Sequence, residues 1–388
     1  MKQAWEVKKL GEVVEIINGK NQSPVISEKG KYPIYGSAGN LMGFATDYIC
    51  EKGTTIIGRK GNISSPIFID ERFWNVDTAF GLYPKNGFDP KYINYLCQTI
   101  DFKSRNRGTT IPSLVKSDLL TIDVPFVSSL DEQQRIVSIL NKAFATIAKA
   151  KANAEQNLNN AKELFESYLQ GVFENEDWDW EMKTIQEITK VVNGYAFASK
   201  DFKPTNTIKS IKITNVGVKE FIEETDNYLP EKFKETLKGF QVREGNIVMA
   251  LTRTIISAGL KVAVVPASYD GALVNQRVAA LVSDEKLVNQ NFLYYFLTTN
   301  GVAKYVLAHV NTLMQPNLSI NDLKNLQVPC PSLDEQKAIV RQLDSLRAET
   351  QKLEAIYKKK IVDLEELKIS ILQKAFAGEL EIENASLA

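Results

Sequence analysis

The sequence predicts an α+β protein with two globular α+β domains separated by two long helices, which form an antiparallel coiled coil. Two observations support this prediction. First, the chain repeats itself: residues 5–19 align without gaps to residues 180–194, and six of the fifteen positions are identical. Second, each repeat ends in a long segment with a helical apolar seam that no proline interrupts. The predicted fold therefore has an internal pseudo-two-fold repeat.

The two long segments predict helices at 129–173 and 331–377. Ser129-Leu-Asp-Glu-Gln133 recurs as Ser332-Leu-Asp-Glu-Gln336, and the Ser-x-x-Glu spacing is typical of a capping box at a helix N-terminus. Apolar residues then recur at steps of three and four. One extra step of four follows Ala154 in the first segment, and another follows Tyr357 at the equivalent place in the second. This matched irregularity favours two helices packed on each other over two unrelated amphipathic helices.

The remaining segments predict the globular domains, at 1–128 and 174–330, with a C-terminal tail at 378–388. Both domains mix strand and helix patterns and contain polar, turn-rich stretches, which is typical of small α+β domains. Their middle parts differ in length and share little sequence. The predicted strands are 54–58, 246–251, 260–265 and 277–282, and the predicted short helices are 92–97 and 291–297.

Composition excludes several classes of protein. The chain has 388 residues, with 47 Lys and Arg against 47 Asp and Glu, so its formal charge is zero and it does not fit a basic DNA-coating protein. Three separated cysteines and one histidine, His309, support neither a disulfide framework nor a metal site. No signal peptide or membrane span is recognisable, and a cytoplasmic location is expected. Methylase, Walker, GxGxxG, GxSxG and HExxH motifs are missing from the sequence, so we expect no catalytic residues.

Two variable domains, each followed by a long helix and framed by repeated segments, resemble the specificity subunit of type I restriction-modification systems. The resemblance covers nearly the whole chain, and its motifs are specific together although each is weak alone. They lie at 5–13, 32–39, 56–61, 111–114, 125 with 129–133, 245–250, 273–280, 315–319 and 328–329 with 332–336.

The resemblance implies a non-catalytic DNA-recognition subunit. Each variable domain, or target-recognition domain, reads one half of a bipartite target in double-stranded DNA. The helices set the spacer, and two modification subunits dock on the chain and methylate adenine. Restriction subunits add translocation and cleavage. The resemblance also implies that S-adenosylmethionine, ATP and Mg²⁺ bind only to partner subunits, and that this chain holds no cofactor or metal and contacts no membrane.

Polar loops supply the DNA-binding candidates, because Arg reads guanine and Asn or Gln reads adenine in the major groove. The alternative is that such residues only stabilise turns. The candidates in the first domain are Arg59, Lys60, Asn62, Arg105 and Arg107, and those in the second are Thr252, Arg253, Gln276 and Arg277.

The repeated segments supply the partner-binding candidates, since two similar patches suit two copies of one partner. The alternative is that these segments pack each domain on its helix. The candidates are Trp5, Lys8, Glu12, Glu132 and Gln133 in the first repeat, and Trp180, Lys183, Glu187, Glu335 and Gln336 in the second. Two other functions stay open at this point: a coiled-coil scaffold with two ligand-binding domains unrelated to restriction, and a self-sufficient modifying enzyme.

Overall fold

The computed structural model describes residues 5–175, 179–223, 228–310 and 316–380. Gln315 of the resemblance motifs and residues 381–388 of the expected tail lie outside these ranges. The chain divides into two compact units: residues 1–156 with 357–388 form unit 1, and residues 157–356 form unit 2. Each unit contains one globular body and one part of each long helix.

The body of unit 1 is built from three small sheets. A four-stranded sheet has the order β2-β8-β5-β6, a three-stranded sheet has the order β4-β3-β7, and β1 pairs antiparallel with β9. The strands are β1 (Glu6–Lys9), β2 (Val14–Asn18), β3 (Tyr32–Tyr35), β4 (Leu41–Ala45), β5 (Thr54–Gly58), β6 (Ile67–Ile69), β7 (Trp74–Asn75), β8 (Ala79–Pro84) and β9 (Asp123–Phe126). The helices are α1 (Leu10–Val13), α2 (Pro90–Thr99), α3 (Lys116–Leu120) and α4 (Leu130–Phe173).

The core of unit 1 lies between its four-stranded sheet and its helices. α2 begins where the Asp89 carboxylate accepts hydrogen bonds from the N–H groups of Lys91 and Tyr92, with Pro90 at the first helical position. Tyr92 and Leu96 are buried with the beginning of α4. Three residues near the end of the second long helix complete the same core: Leu372, Ala375 and Phe376.

The body of unit 2 has the same strand orders, with one added hairpin. Its four-stranded sheet is β11-β19-β14-β17, its three-stranded sheet is β13-β12-β18, and β10 pairs with β20 and β15 with β16. The strands are β10 (Glu181–Thr184), β11 (Thr189–Asn193), β12 (Ile208–Ile211), β13 (Tyr228–Leu229), β14 (Ile247–Ala250), β15 (Ile255–Ile256), β16 (Gly259–Leu260), β17 (Val262–Val264), β18 (Leu273–Val274), β19 (Val278–Ser283) and β20 (Gln327–Cys330). The helices are α5 (Ile185–Ile188), α6 (Phe233–Thr236), α7 (Gln290–Leu297), α8 (Asn300–His309), α9 (Ile320–Asn325) and α10 (Leu333–Phe376).

The predicted short helices and most of the predicted strands are confirmed, with one difference. The segment 260–265, expected as one strand, divides between β16 and β17. Val262 and Val264 pair with β14, whereas Leu260 pairs with Ile255 in the added hairpin. The chain therefore changes sheets within this segment.

The long helices begin as predicted, but only half of each capping box forms. The Ser129 hydroxyl accepts a hydrogen bond from the N–H of Glu132 at 3.4 Å, and the Ser332 hydroxyl accepts one from Glu335 at 3.3 Å. The Glu132 carboxylate instead binds Arg135. The apolar seams are also interrupted, because three residues that continue the spacing of three and four are exposed: Tyr168 of α4, and Leu353 and Leu367 of α10.

Candidate nucleic-acid interface

In unit 1, the loop after the central strand β5 presents three of the DNA-binding candidates. Backbone hydrogen bonds fix this loop: the N–H groups of Arg59 and Lys60 donate to the Thr78 carbonyl at 2.8 and 3.0 Å. The Arg59 carbonyl accepts from Leu114, and the N–H of Gly61 donates to Pro112. Arg59, Lys60 and Asn62 are exposed, so the backbone is held while the side chains face solvent.

The same contacts bring the second candidate segment of unit 1 to this loop. Lys60 forms a β-bridge with Ser113, and the Ser113 carbonyl accepts a hydrogen bond from the N–H of Arg107. Arg105 ends a short 3-10 turn and is exposed. Arg107 is also exposed, but its Nε donates to Asp118 at 2.8 Å. Arg105 is therefore better placed than Arg107 to bind a new acceptor.

A shallow cleft beside this loop adds residues that sequence reasoning missed. Asn18, Arg59 and Lys116 contribute to its wall, together with Phe80, Leu114 and Val115, and its volume is about 280 Å³. The Lys116 ammonium donates to the Ile16 carbonyl at 2.5 Å. Asn18 and Gly19 recur as Asn193 and Gly194 in the aligned segments 5–19 and 180–194.

In unit 2, the equivalent loop follows the equivalent strand, β14, and has matching hydrogen bonds. The N–H of Leu251 donates to Arg277 at 2.8 Å, and the Leu251 carbonyl accepts from Leu318 at 2.9 Å. Thr252 forms a β-bridge with Asn317, just as Lys60 does with Ser113. Arg253 is exposed and Thr252 is partly exposed. The loop is therefore held in the same way in both bodies.

The remaining candidates of unit 2 lie next to this loop. Gln276 and Arg277 are exposed, and Leu251 is bonded to the carbonyl of Arg277. The N–H of Gln276 donates to the Tyr195 carbonyl at 2.9 Å. The four candidates of unit 2 thus lie on two adjoining turns.

The backbone at Arg253 has an unusual conformation. Its φ angle is +51°, whereas Gly61, which occupies the equivalent loop position in unit 1, has φ +83°. A non-glycine residue with positive φ is uncommon and costs about 1–2 kcal/mol. Burial lowers the pKa of nearby Lys261 below its usual range, and the charge of Arg253 lowers this pKa further. The loop therefore holds Arg253 in spite of both backbone strain and charge repulsion.

An aromatic cluster lies beside Gln276 and was missed from the sequence. Tyr195 is 40% exposed, and the centroid of its ring lies 5.1 Å from that of Phe197 and 5.2 Å from that of Phe240. Phe197 also contacts Phe202 and Phe233. These residues are spread over 46 positions without a period, so no sequence pattern indicates that they meet.

The repeated tryptophans pack on the helices. The Trp5 ring lies 6.4 Å from the Phe376 ring in unit 1. In unit 2, the Trp180 ring lies 6.4 Å from that of Phe292, and its Nε1 donates to Glu335 at 3.1 Å. Both tryptophans are partly buried, so they hold the domain on the helix and leave only part of the ring accessible.

Glu12 and Glu187, which lie seven residues after Trp5 and Trp180, have matching local roles. Glu12 accepts a hydrogen bond from the N–H of Lys9 at 2.6 Å, and Glu187 accepts one from the N–H of Thr184 at 2.6 Å. Hydrogen bonds from the Thr184 hydroxyl and N–H lower the pKa of Glu187. Each carboxylate thus stabilises the beginning of a one-turn helix while remaining exposed.

The repeated lysines are partly exposed. The Lys8 ammonium lies 4.5 Å from the centre of the Phe126 ring. Lys183 makes a 3.2 Å ion pair with Glu181 on the same strand. Both ammonium groups are near the surface, and both remain candidates for a partner contact.

Gln133 and Gln336 are fully buried, which corrects their assignment as contact residues. Gln133 Oε1 accepts from the N–H of Asp89 at 2.8 Å, and its Nε2 donates to Val127 at 2.9 Å and to Gly87 at 3.3 Å. Gln336 makes the equivalent bonds to the N–H of Asn289 and to two carbonyls. Each glutamine joins its long helix to the N-terminus of a short helix.

One exposed apolar position recurs near the repeated tryptophans and was not singled out from the sequence. Val7 on β1 is 70% exposed, and Met182, at the equivalent position on β10, is 54% exposed. Each lies opposite a proline of the paired strand, Pro125 or Pro329. The two units therefore present a similar apolar side chain on a similar two-stranded sheet.

Within the described residues, no group of three or more His, Cys, Asp or Glu side chains is placed to hold a metal ion. Across those ranges, no helix combines the length and the hydropathy that crossing a membrane requires.

Solved structures identify the class of this fold. The HsdS subunit from Thermoanaerobacter tengcongensis matches with a TM-score of 0.61 at 18% identity, and the match covers 97% of each chain. A chain from a structure on complex assembly and conformational transition of the type I R-M system matches with a TM-score of 0.77 at 17% identity, covering 98% of this chain and 100% of that one. These likenesses show the fold.

The chain belongs to the family described as type I restriction modification DNA specificity domain, whose sequence model matches residues 2–159 and 178–362. The MjaVIII specificity subunit of Methanocaldococcus jannaschii is 27% identical, over 98% of this chain and 94% of that protein. The EcoBI specificity subunit of Escherichia coli is 25% identical, over 84% of this chain and 73% of that protein. Family membership decides against a scaffold unrelated to restriction.

Proposed function

We propose that each body of this specificity subunit reads one half of a bipartite DNA target. The observation that carries the proposal is the matched pair of loops, 59–62 in unit 1 and 251–254 in unit 2. Both follow the central strand of a four-stranded sheet, and both are held to the same two neighbouring segments. A fixed backbone with exposed Arg, Lys and Asn side chains and a partly exposed Thr suits readout of base edges in the major groove.

We propose that two modification subunits bind to equivalent surfaces, one in each unit. Val7 and Met182 are exposed apolar side chains at equivalent positions of β1 and β10, and Lys8 and Lys183 follow them on the opposite face of the same strands. Two such surfaces suit two copies of one partner. S-adenosylmethionine, ATP and Mg²⁺ belong to the modification and restriction subunits in this proposal, and the chain itself contributes recognition.

We propose that α4 and α10 pair antiparallel and fix the spacer between the half-sites. Residue numbers run in opposite directions at their contacts: Lys151 binds Glu365 in unit 1, and Tyr168 binds Gln342 in unit 2. Both helices contain 44 residues, so each is about 66 Å long at ~1.5 Å per residue. An uninterrupted helix of this length is stiff enough to hold a fixed distance.

The test is the methylation specificity of the chain reconstituted with its modification subunits. Arg59→Ala should relax one half-site and Arg253→Ala the other, each with a loss of ~1–3 kcal/mol for the affected half. Arg72→Ala and Arg243→Ala are matched controls, because these exposed arginines lie in the same bodies and pair with Glu51 and Asp270. The proposal fails if complexes that carry Arg59→Ala or Arg253→Ala still methylate the original target sequence and bind it with the original affinity.

A further inference from the structure

Four side chains on each long helix form a matched set. Each position on α10 is the corresponding α4 position plus 203, the same offset that separates Ser332 from Ser129. The residue types at these positions differ. Phe144, Lys151, Lys162 and Phe165 on α4 correspond in order to Arg347, Glu354, Glu365 and Lys368 on α10.

In unit 1, members of the two sets bind each other. The Lys151 ammonium lies 2.6 Å from the Glu365 carboxylate, and this hydrogen-bonded ion pair raises the pKa of Lys151 and lowers that of Glu365. The Lys368 ammonium lies 5.3 Å from the centre of the Phe144 ring. Tyr95 of α2 packs edge-on against the same ring. Here α4 supplies a lysine and an aromatic ring, and α10 supplies a glutamate and a cation.

In unit 2, the remaining members meet with the same division of roles. The Arg347 guanidinium lies 6.0 Å from the centre of the Phe165 ring, and Tyr295 of α7 packs on that ring. Lys162 and Glu354 line one cleft of about 320 Å³. Again α4 supplies the lysine and the ring, and α10 supplies the glutamate and the cation.

A second copy of either helix would not fit this pattern. In an antiparallel pair of two α10 helices, Arg347 would face Lys368 and Glu354 would face Glu365, each twice. In a pair of two α4 helices, Lys151 would face Lys162, and the phenylalanines would have no cation. Like charges at facing positions are unfavourable, and both rings would lose a cation–π contact. We propose that these eight side chains make α4 select α10 and make each helix reject a copy of itself.

The strength of the selection comes from several small effects. Each exposed ion pair shifts the pairing equilibrium of the two helices by a factor of about 1.4 to 5. Each partly exposed cation–π contact shifts it by a similar factor. Lys151 and Glu365 are both partly exposed, with side-chain exposures of 35% and 49%. Three such contacts in the pair of α4 with α10, replaced by four like-charge contacts in a pair of two α10 helices, should discriminate by roughly tenfold or more.

The full chain carrying Glu365→Lys with Lys368→Glu tests the selection without changing net charge. The variant places a lysine opposite Lys151, so pairing with α4 weakens. Two copies of the altered α10 become complementary, with Arg347 facing Glu and Glu354 facing Lys. We expect a lower midpoint of thermal unfolding, together with concentration-dependent self-association in sedimentation. Lys352→Glu with Glu366→Lys is the matched control, because both are exposed residues of α10 outside the set, and it should behave like the unaltered chain.

Adding Lys151→Glu to the Glu365→Lys substitution restores an ion pair of reversed polarity and should recover most of the midpoint lost by Glu365→Lys alone. A lower midpoint of the Glu365→Lys, Lys368→Glu variant without self-association would assign these residues to stability and not to partner choice, and would overturn the proposal. The same conclusion holds if this variant is indistinguishable from its control.

Discussion

Gly61 and Arg253 occupy equivalent positive-φ positions, so exchanging their residue types should have opposite effects on stability. A Cβ added at Gly61 meets no heavy atom within 4 Å, so the cost of Gly61→Ala is conformational. The penalty of left-handed backbone for a residue with a Cβ is ~1–2 kcal/mol, and alanine removes ~0.5–1 kcal/mol of freedom from the unfolded chain, so we expect a net loss of ~0.5–1 kcal/mol. Arg253→Gly removes the same penalty, but glycine gives the unfolded chain ~0.5–1 kcal/mol of additional freedom. The net gain in unfolding free energy should be ~0.5–1 kcal/mol.

Arg253→Ala separates the backbone from the guanidinium. Alanine keeps the backbone penalty and loses the charged group, so its stability should stay close to that of the unaltered chain and below that of Arg253→Gly. Both Arg253 variants should bind the second half-site ~5- to 150-fold more weakly, which corresponds to the loss of one base contact. Arg253→Gly would thus be more stable and less able to bind DNA, as expected where strain is kept at a functional position.

Thermal unfolding and DNA-binding anisotropy of the complex with its modification subunits measure these effects. For a unit of this size, 1 kcal/mol changes the unfolding midpoint by ~2–4 °C. If Arg253→Gly is no more stable than Arg253→Ala, the positive φ is not the source of strain. If both variants retain full affinity for the target, the loop does not read DNA and the reasoning about both loops is refuted.

Three other predictions concern buried and exposed groups. Gln133→Leu and Gln336→Leu should each lower the unfolding free energy by ~2–4 kcal/mol, since each removes three hydrogen bonds and leaves buried backbone groups unpaired. Chemical denaturation measures the loss, and unchanged stability would show that these hydrogen bonds are dispensable. Tyr195→Ser should weaken DNA binding by ~1 kcal/mol. It should also lower the unfolding free energy by ~0.5–1.5 kcal/mol for each of its two ring contacts, with Phe197 and Phe240. Equal affinity would exclude the aromatic cluster from the interface. Burial raises the pKa of Cys50 and Cys97 to about 12, so both thiols should resist alkylation by iodoacetamide at pH 8 until the protein unfolds. Mass spectrometry of the native protein measures the alkylation, and finding either cysteine alkylated would contradict the prediction.

Periodic and local signals explain what the sequence could predict. The ends of the long helices were predicted to within one to two residues. Ser129 and Ser332 mark where the helices begin, and the apolar spacing of three and four persists over their full length. The predicted segments 54–58 and 246–251 correspond to β5 and β14, both buried throughout. Loops that follow such central strands are fixed at one end, which is why their polar residues were chosen as DNA-binding candidates.

Contacts between distant residues explain what was missed. Gln133 belongs to a repeated motif, but repetition does not distinguish an exposed docking residue from a buried one. Its hydrogen bond from the N–H of Asp89 forms only because the fold brings α4 to the beginning of α2. Tyr195 and Phe240 meet only because β11 and the turn before Gln241 lie side by side. Arg107 is another example, because its charge is directed to Asp118 by the conformation of the intervening loop.

The core of the first body includes Leu372, Ala375 and Phe376, which the ribosome synthesises more than 200 residues after Leu140. At about 5–20 residues per second, that interval lasts roughly 10–50 s. During it, the part of this core that Leu372, Ala375 and Phe376 cover stays open. Nascent chains of this protein therefore display an apolar surface for most of translation, and a chaperone or an early-binding partner has time to occupy it. Loss of the last turns of α10 would leave that surface permanently open, so the end of the chain governs the solubility of its beginning.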